Sequence, residues 1–88
     1  MTRVVNLHHE PCDVLICRPS KWGNPFPITD KCSRELAIAK YEVHIRRSPN
    51  LIAALPELAG KRLGCHCKPF PCHGDILVKL LKEFFSLD

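Results

Sequence analysis

Apolar positions along the 88 residues fall into runs of different period, and the periods predict the elements. Arg3-Val4-Val5-Asn6-Leu7 is a short β-branched run that reads as a strand, broken by His8-His9-Glu10-Pro11. The apolar run from Asp13 to Cys17 is too short for a helix and is bounded by Pro11 and Pro19. It predicts a buried strand. From about Ser33 to Arg47 the spacing turns helical. Ala37, Tyr41 and Ile45, with Leu36 alongside, recur at i, i+4, i+8, while Lys40, Glu42, Arg46 and Arg47 fall mostly off that stripe. Asp30 or Ser33 is the candidate N-cap. Ser48-Pro49 predicts the end of this helix, and Asn50 to Leu55 a short second one that stops between Pro56 and Gly60. Lys61 to Cys67 is the third strand. From His73 or Gly74 onward, Ile76, Leu77, Leu80, Leu81, Phe84 and Phe85 repeat at helical spacing.

The segment Arg18-Pro-Ser-Lys-Trp-Gly-Asn-Pro-Phe-Pro27 is neither helix nor strand, because three prolines and a glycine exclude both. Asn24 and Phe26 each precede a proline and are held extended, so the segment is a rigid loop that presents side chains. The helical connection between strands 13–17 and 61–67 suits a parallel crossover. The expected fold is therefore α/β, a small two-layer or three-layer sandwich with a central parallel strand pair and helices packed on the sheet. Ligands of such sheets bind at the carboxyl ends of the strands. The Arg18–Phe26 loop and the Lys68–Asp75 turn should then face one another, with Asn24 and His73 as neighbours.

Composition narrows the class. A chain of this length predicts one domain, residues 1–88, with a modest core. No apolar run approaches the ~20 residues of a membrane helix, and the N-terminus turns polar too early for a secretory signal. A cytoplasmic location is expected, so the six cysteines read as thiols or metal ligands rather than disulfides. The formal charge of +4 permits an anionic partner without demanding nucleic acid.

Three of those cysteines and two of the five histidines lie within nine residues, Cys65 to His73. Three chemistries compete for that corner. In one, the free amides at Cys72, His73 and Gly74 open a helix and receive an anion, with Arg18, Lys21 and Lys68 adding charge. Asp75 opposes this, since a first-turn carboxylate already suits the helix end. In the second, Cys65, Cys67, Cys72 and His73 supply a Cys₃His zinc set. Residues two apart in a strand are about 6.6 Å apart, so the chain must curl at His66 before Cys65 and Cys67 can share one ion. In the third, Cys72 beside His73 at a helix N-terminus is a reactive thiol. His73 is the candidate acid or base, and activity would then change between about pH 5.5 and 7.5. Trp22 would either stack on a flat ligand or lock its loop to the body of the domain. Tyr41 lies on the buried stripe, with its hydroxyl directed toward the site.

The loop Arg18 to Phe26 followed by Gly64-Cys-His-Cys-Lys-Pro-Phe-Pro-Cys-His-Gly-Asp-Ile-Leu77 resembles a small family of phage and bacterial proteins, a domain of unknown function. Its members pair an Arg…Lys-x-Gly-Asn-Pro-Phe loop with a Cys-x-Cys-x-Pro-x-x-Cys-His-Gly turn. The resemblance covers nearly the whole chain and matches Arg18, Lys21, Gly23, Asn24, Pro25, Phe26, Tyr41, Cys65, Cys67, Cys72, His73 and Gly74. Cys17 replaces a small Gly of the family pattern, and His66 replaces an aromatic residue. The family has no stated function, and its phage setting implies a nucleotide-related role by association only.

These readings set the expectations. The leading one is a ligand-binding domain, or an enzyme, for a nucleotide or other phosphate-bearing molecule. Its binding set is Arg18, Ser20, Lys21, Trp22, Gly23, Asn24, Tyr41, Gly74 and Asp75, with Cys72 and His73 as catalytic candidates. The rival is a zinc-stabilised module that contacts protein or nucleic acid without turnover. A phage protein that sequesters a host signalling nucleotide is the third.

Overall fold

A computed structural model describes residues 1–67 and 70–87. Its sheet has three parallel strands: β1, Arg3–Asn6; β2, Val14–Leu15; and β3, Arg62–Cys65. The order is β1-β3-β2, with Val4 and Val14 both in register with Leu63. The expected parallel pair is β2 with β3. The sheet adds β1 on the other side of β3, so the strand formed last in sequence occupies the centre. Its composition suits that place, because Leu63, Gly64 and Cys65 are all buried.

Three helices follow the expected order. α1 spans Arg34–Arg46, α2 Pro49–Ala54 and α3 His73–Phe85, with a 3-10 turn at Leu55–Leu58 between α2 and β3. Ser33 caps α1 by accepting the amide of Leu36 at 3.1 Å. Of the predicted stripe, Ala37, Tyr41 and Ile45 are buried, whereas Leu36 is 43% exposed. Leu36 precedes Ala37 and so points about 100° away from it round the helix. Pro49 opens α2 rather than merely ending α1, as its fixed φ suits a first helical position.

The two faces of the sheet are covered differently. Val4, Val14, Leu63, Cys65 and Ile16 join one core with Tyr41 and Ile45 of α1, Leu55 and Leu58 of the 3-10 turn, and Leu77, Leu80 and Leu81 of α3. Residues in register on parallel strands share a face, so Val5 and Gly64 point the other way. That face is crossed by residues 7–12, which return the chain from the end of β1 to the start of β2. The architecture is thus a two-layer sandwich with a connecting segment laid over its back. Its radius of gyration, 12.2 Å, is close to the about 12 Å expected of a compact chain this long. No helix is long and apolar enough to cross a membrane among the described residues.

Candidate functional site

The carboxyl ends of β2 and β3 release the two segments singled out by the sequence, and they meet. A cavity of about 220 Å³ lies between them. Cys17, Arg18, Asn24, Phe26, Pro27 and Ile28 line it from the proline-rich loop; Arg34, Ala37 and Ile38 from α1; and Cys65, His66, Cys67, Pro71, Cys72 and His73 from the turn between β3 and α3. Asn24 and His73 therefore face one space, as parallel topology requires. Lys68, counted among the candidate basic groups, lies outside the described residues.

Much of the proline-rich loop serves to hold its own shape. The Arg18–Pro19 peptide is cis. Ser20 Oγ accepts the amide of Trp22 at 3.2 Å. A Cβ on Gly23 would stand 2.9 Å from the backbone nitrogen of Arg18, so the chain turns back on itself where only glycine fits. Asn24 is used at both ends, donating to the Ala37 carbonyl at 3.3 Å and accepting the Phe26 amide at 2.9 Å. Trp22 is 2% exposed. Of its two expected roles it takes the structural one and anchors the loop in the core. The Tyr41 hydroxyl donates to the Trp22 carbonyl at 2.6 Å, and burial pushes its pKa up. Lys21 pairs with Glu57 at 3.0 Å. Ser20, Lys21, Trp22, Gly23 and Tyr41 thus position the loop without lining the cavity.

The start of α3 is similarly engaged. Asp75 Oδ2 accepts the Cys72 amide at 3.0 Å, the Cys72 carbonyl accepts the Asp75 amide at 3.0 Å, and Cys72 Sγ accepts the Gly74 amide at 3.4 Å. These bonds occupy the Cys72, Gly74 and Asp75 amides, and the Asp75 carboxylate opposes an anion at this helix end. A Cβ on Gly74 would come within 2.7 Å of Ile16 and 2.8 Å of Val4, so this glycine lets α3 approach the sheet rather than a ligand.

What remains at the corner is sulfur and imidazole. β3 ends at Cys65 and the chain bends at His66. That bend brings the Sγ atoms of Cys65, Cys67 and Cys72 within 4.8 Å of one another, the curl a shared ion demands. Cys65 and Cys72 sulfurs are 3.0 Å apart. The hydrogen bond with Cys65, together with burial, pushes the Cys72 thiol up, although the Gly74 amide opposes this. A raised thiol pKa works against the thiolate that a reactive Cys72 would need. His73 is 8% exposed and stacks edge-on against Tyr41, ring centroids 4.9 Å apart. Its Nε2 lies 2.7 Å from the Ile16 carbonyl and Nδ1 3.6 Å from Cys72 Sγ. Burial lowers its pKa against the raising effect of the Ile16 bond. The Ile16 carbonyl is met by Nε2, which leaves Nδ1 facing the Cys72 sulfur.

Sequence reasoning missed Arg34. It opens α1, donates through Nη1 to the Pro71 carbonyl at 3.2 Å and lies over the Phe70 ring, 5.5 Å from its centroid. The available signal was positional: a helix that begins directly after a rim loop places its first residue at the same rim.

These features define a class, a small α/β domain whose parallel sheet carries a cysteine cluster and a cavity at its carboxyl edge. The chain belongs to the family described as Domain of unknown function (DUF4326), whose profile matches residues 2–83. It is 40% identical over 92 positions to an "Uncharacterized 12.4 kDa protein in nrdA-td intergenic region" of Enterobacteria phage T4, spanning 100% of this chain and 84% of that relative. It is 37% identical over 95 positions to "Uncharacterized protein R718" of Acanthamoeba polyphaga mimivirus, spanning 88% of this chain and 72% of the relative. No solved structure matches it significantly.

Proposed function

We propose that this domain binds a nucleotide or another phosphate-bearing small molecule in the rim cavity. The observation that carries the reading is that two arginines, Arg18 and Arg34, line this cavity. Arg18 has no hydrogen-bond or ion-pair partner among the described residues. A planar five-donor cation suits phosphate or carboxylate, which it can grip in two places. The apolar part of the lining, Phe26, Pro27, Ile28, Ala37 and Ile38, offers surface to a flat ring. An anion receptor beside an apolar wall is the pairing a nucleotide presents, with its charge at one end and its base at the other. The arginines are the receptor, since the Cys72, Gly74 and Asp75 amides are already engaged at the start of α3.

Binding to the folded chain raises its stability by about 2.7 kcal/mol at a ligand concentration 100 times Kd. For a domain this small that corresponds to a melting shift of about 10 °C or more. Thermal melts at low salt with inorganic phosphate, mononucleotides and cyclic dinucleotides should show such a shift for at least one of them. Arg18→Ala, whose side chain is exposed, should fold normally and lose the shift. No response to any phosphate compound, or an undiminished one in both Arg18→Ala and Arg34→Ala, would reject the proposal.

A further inference from the structure

We propose that Cys65, Cys67, Cys72 and His73 hold one tetrahedral cation of the zinc class at the corner between β3 and α3. The site stands apart from the ligand reading, although it forms a wall of the same cavity.

The distances carry the argument. In a tetrahedral zinc site with bonds of about 2.3 Å to sulfur and 2.0–2.1 Å to nitrogen, ligand atoms lie about 3.8 Å apart for two sulfurs and about 3.6 Å for a sulfur and a nitrogen. The three sulfurs here all lie within 4.8 Å of one another. Cys72 Sγ and His73 Nδ1 are 3.6 Å apart, already at the sulfur–nitrogen spacing. Cys65 and Cys72 sulfurs, at 3.0 Å, need to separate by only about 0.8 Å to admit the ion. The three sulfurs form the tighter set; His73 Nδ1 stands beside Cys72 but outside the 4.8 Å cluster, so the imidazole has to shift toward the other two sulfurs to become the fourth ligand.

The surroundings fit metal ligation as well as the spacing does. The Ile16 carbonyl can only accept, so the nitrogen facing it at 2.7 Å, His73 Nε2, carries the hydrogen. The lone pair is then on Nδ1, beside the sulfur. A backbone carbonyl holding the far nitrogen of a ligating histidine is the usual means of fixing its tautomer and orientation. The Gly74 amide donating to Cys72 Sγ is the contact that favours a thiolate. Soft sulfur with imidazole selects zinc and its substitute cobalt over magnesium or calcium. Four protein ligands close the coordination sphere, so the ion's role is to pin the end of β3 to the start of α3. That would fix the wall that Cys65, Cys67 and Cys72 contribute to the cavity.

The test titrates reduced, metal-free full-length protein with Co(II), then Zn(II). One equivalent of Co(II) should give sulfur-to-metal charge-transfer absorption and intense tetrahedral ligand-field bands, which Zn(II) abolishes. Cys67→Ser, at the half-buried member of the set, should weaken binding about a hundredfold. His73→Ala should weaken it at least about tenfold and alter the ligand-field bands. Cys12→Ser, on the opposite face of the sheet, should change neither. Cys65 and Cys72 are buried and their variants can fail to fold, so a second measurement uses the unmodified chain. Alkylation followed by mass spectrometry should find Cys65, Cys67 and Cys72 shielded by zinc, with Cys12 and Cys17 reactive. Absence of stoichiometric binding, binding unaffected by Cys67→Ser, or a Cys65–Cys72 disulfide that persists in reductant would each overturn the assignment. Metal binding without any phosphate response would leave this site standing and remove only the ligand proposal.

Discussion

Tyr41 shows how one side chain can be both core and scaffold. Its ring sits in the main hydrophobic cluster and against His73, while its hydroxyl ends on the Trp22 carbonyl at 2.6 Å. The bond ties the proline-rich loop to α1 through a buried carbonyl that Phe could not satisfy. Tyr41→Phe should therefore cost about 1–3 kcal/mol, read as a lower urea midpoint with an unchanged denaturant slope. An unchanged midpoint would mean that water replaces the hydroxyl and that the loop is held by Trp22 packing alone. Of the residues marked from sequence, Arg18, Asn24, Cys65, Cys67, Cys72 and His73 line the cavity. They were legible because chemistry-bearing side chains cluster on the two loops that follow parallel strands. Lys21, Trp22 and Gly23 share that loop yet turn to other tasks. Motif spacing cannot distinguish a side chain that faces a ligand from one that fixes the loop.

At the scale of elements, the least predictable piece is the segment between β1 and β2. Its His-His-Glu-Pro run reads as a break, which it is, but it also crosses the back of the sheet. Gly64 makes this possible. A Cβ there would lie 2.5 Å from Cys12 Sγ and 2.6 Å from Leu7 Cδ2. Gly64→Ala must push that segment off the sheet, at a cost of about 1–3 kcal/mol for overpacking. The expected sign is faster amide hydrogen exchange over residues 7–12 together with a lower melting temperature. Unaltered exchange would show that the segment does not rest on the glycine. The long helices, by contrast, were visible in the sequence, because a sustained 3.6-residue period has no competing explanation. β1's place beside β3 was not, since pairing partners of short strands are set by the whole fold rather than by local pattern.

Across the whole molecule, ion pairs bridge elements that the apolar core already brings together. Asp13 clamps Arg62 across β2 and β3, and Arg46 with Lys79 joins α1 to α3 through Glu42 and Glu83. Hydrogen bonding to Arg62 lowers Asp13 to about 2, and Arg3 lowers Glu10. Glu42 and Glu83 are lowered by their bonds to Lys79 and Arg46. Each carboxylate is more acidic folded than unfolded, so the unfolded chain takes up more protons as pH falls below about 4. Stability from these groups is full above about pH 5 and is lost between about pH 4 and 2. Urea midpoints measured across that range should fall, and Asp13→Asn should make the fall shallower while lowering the plateau. A midpoint that rises on acidification would contradict the assignment. The Asp13–Arg62 pair is more than a third exposed, so the lowering of the plateau by Asp13→Asn should be small.

The residue pattern by itself determined which segments are helical, that a parallel pair flanks a helical crossover, and that two chemistry-rich loops share one rim. These follow from period, proline placement and the geometry of parallel connections, all of which are local or topological. Only the tertiary structure decided that the Cys72 and Gly74 amides are taken up by Asp75 and Cys72, that Trp22 faces inward, and that three sulfurs converge beside a histidine held by Ile16. Those outcomes depend on distances between atoms far apart in the chain, and no spacing in a sequence contains them.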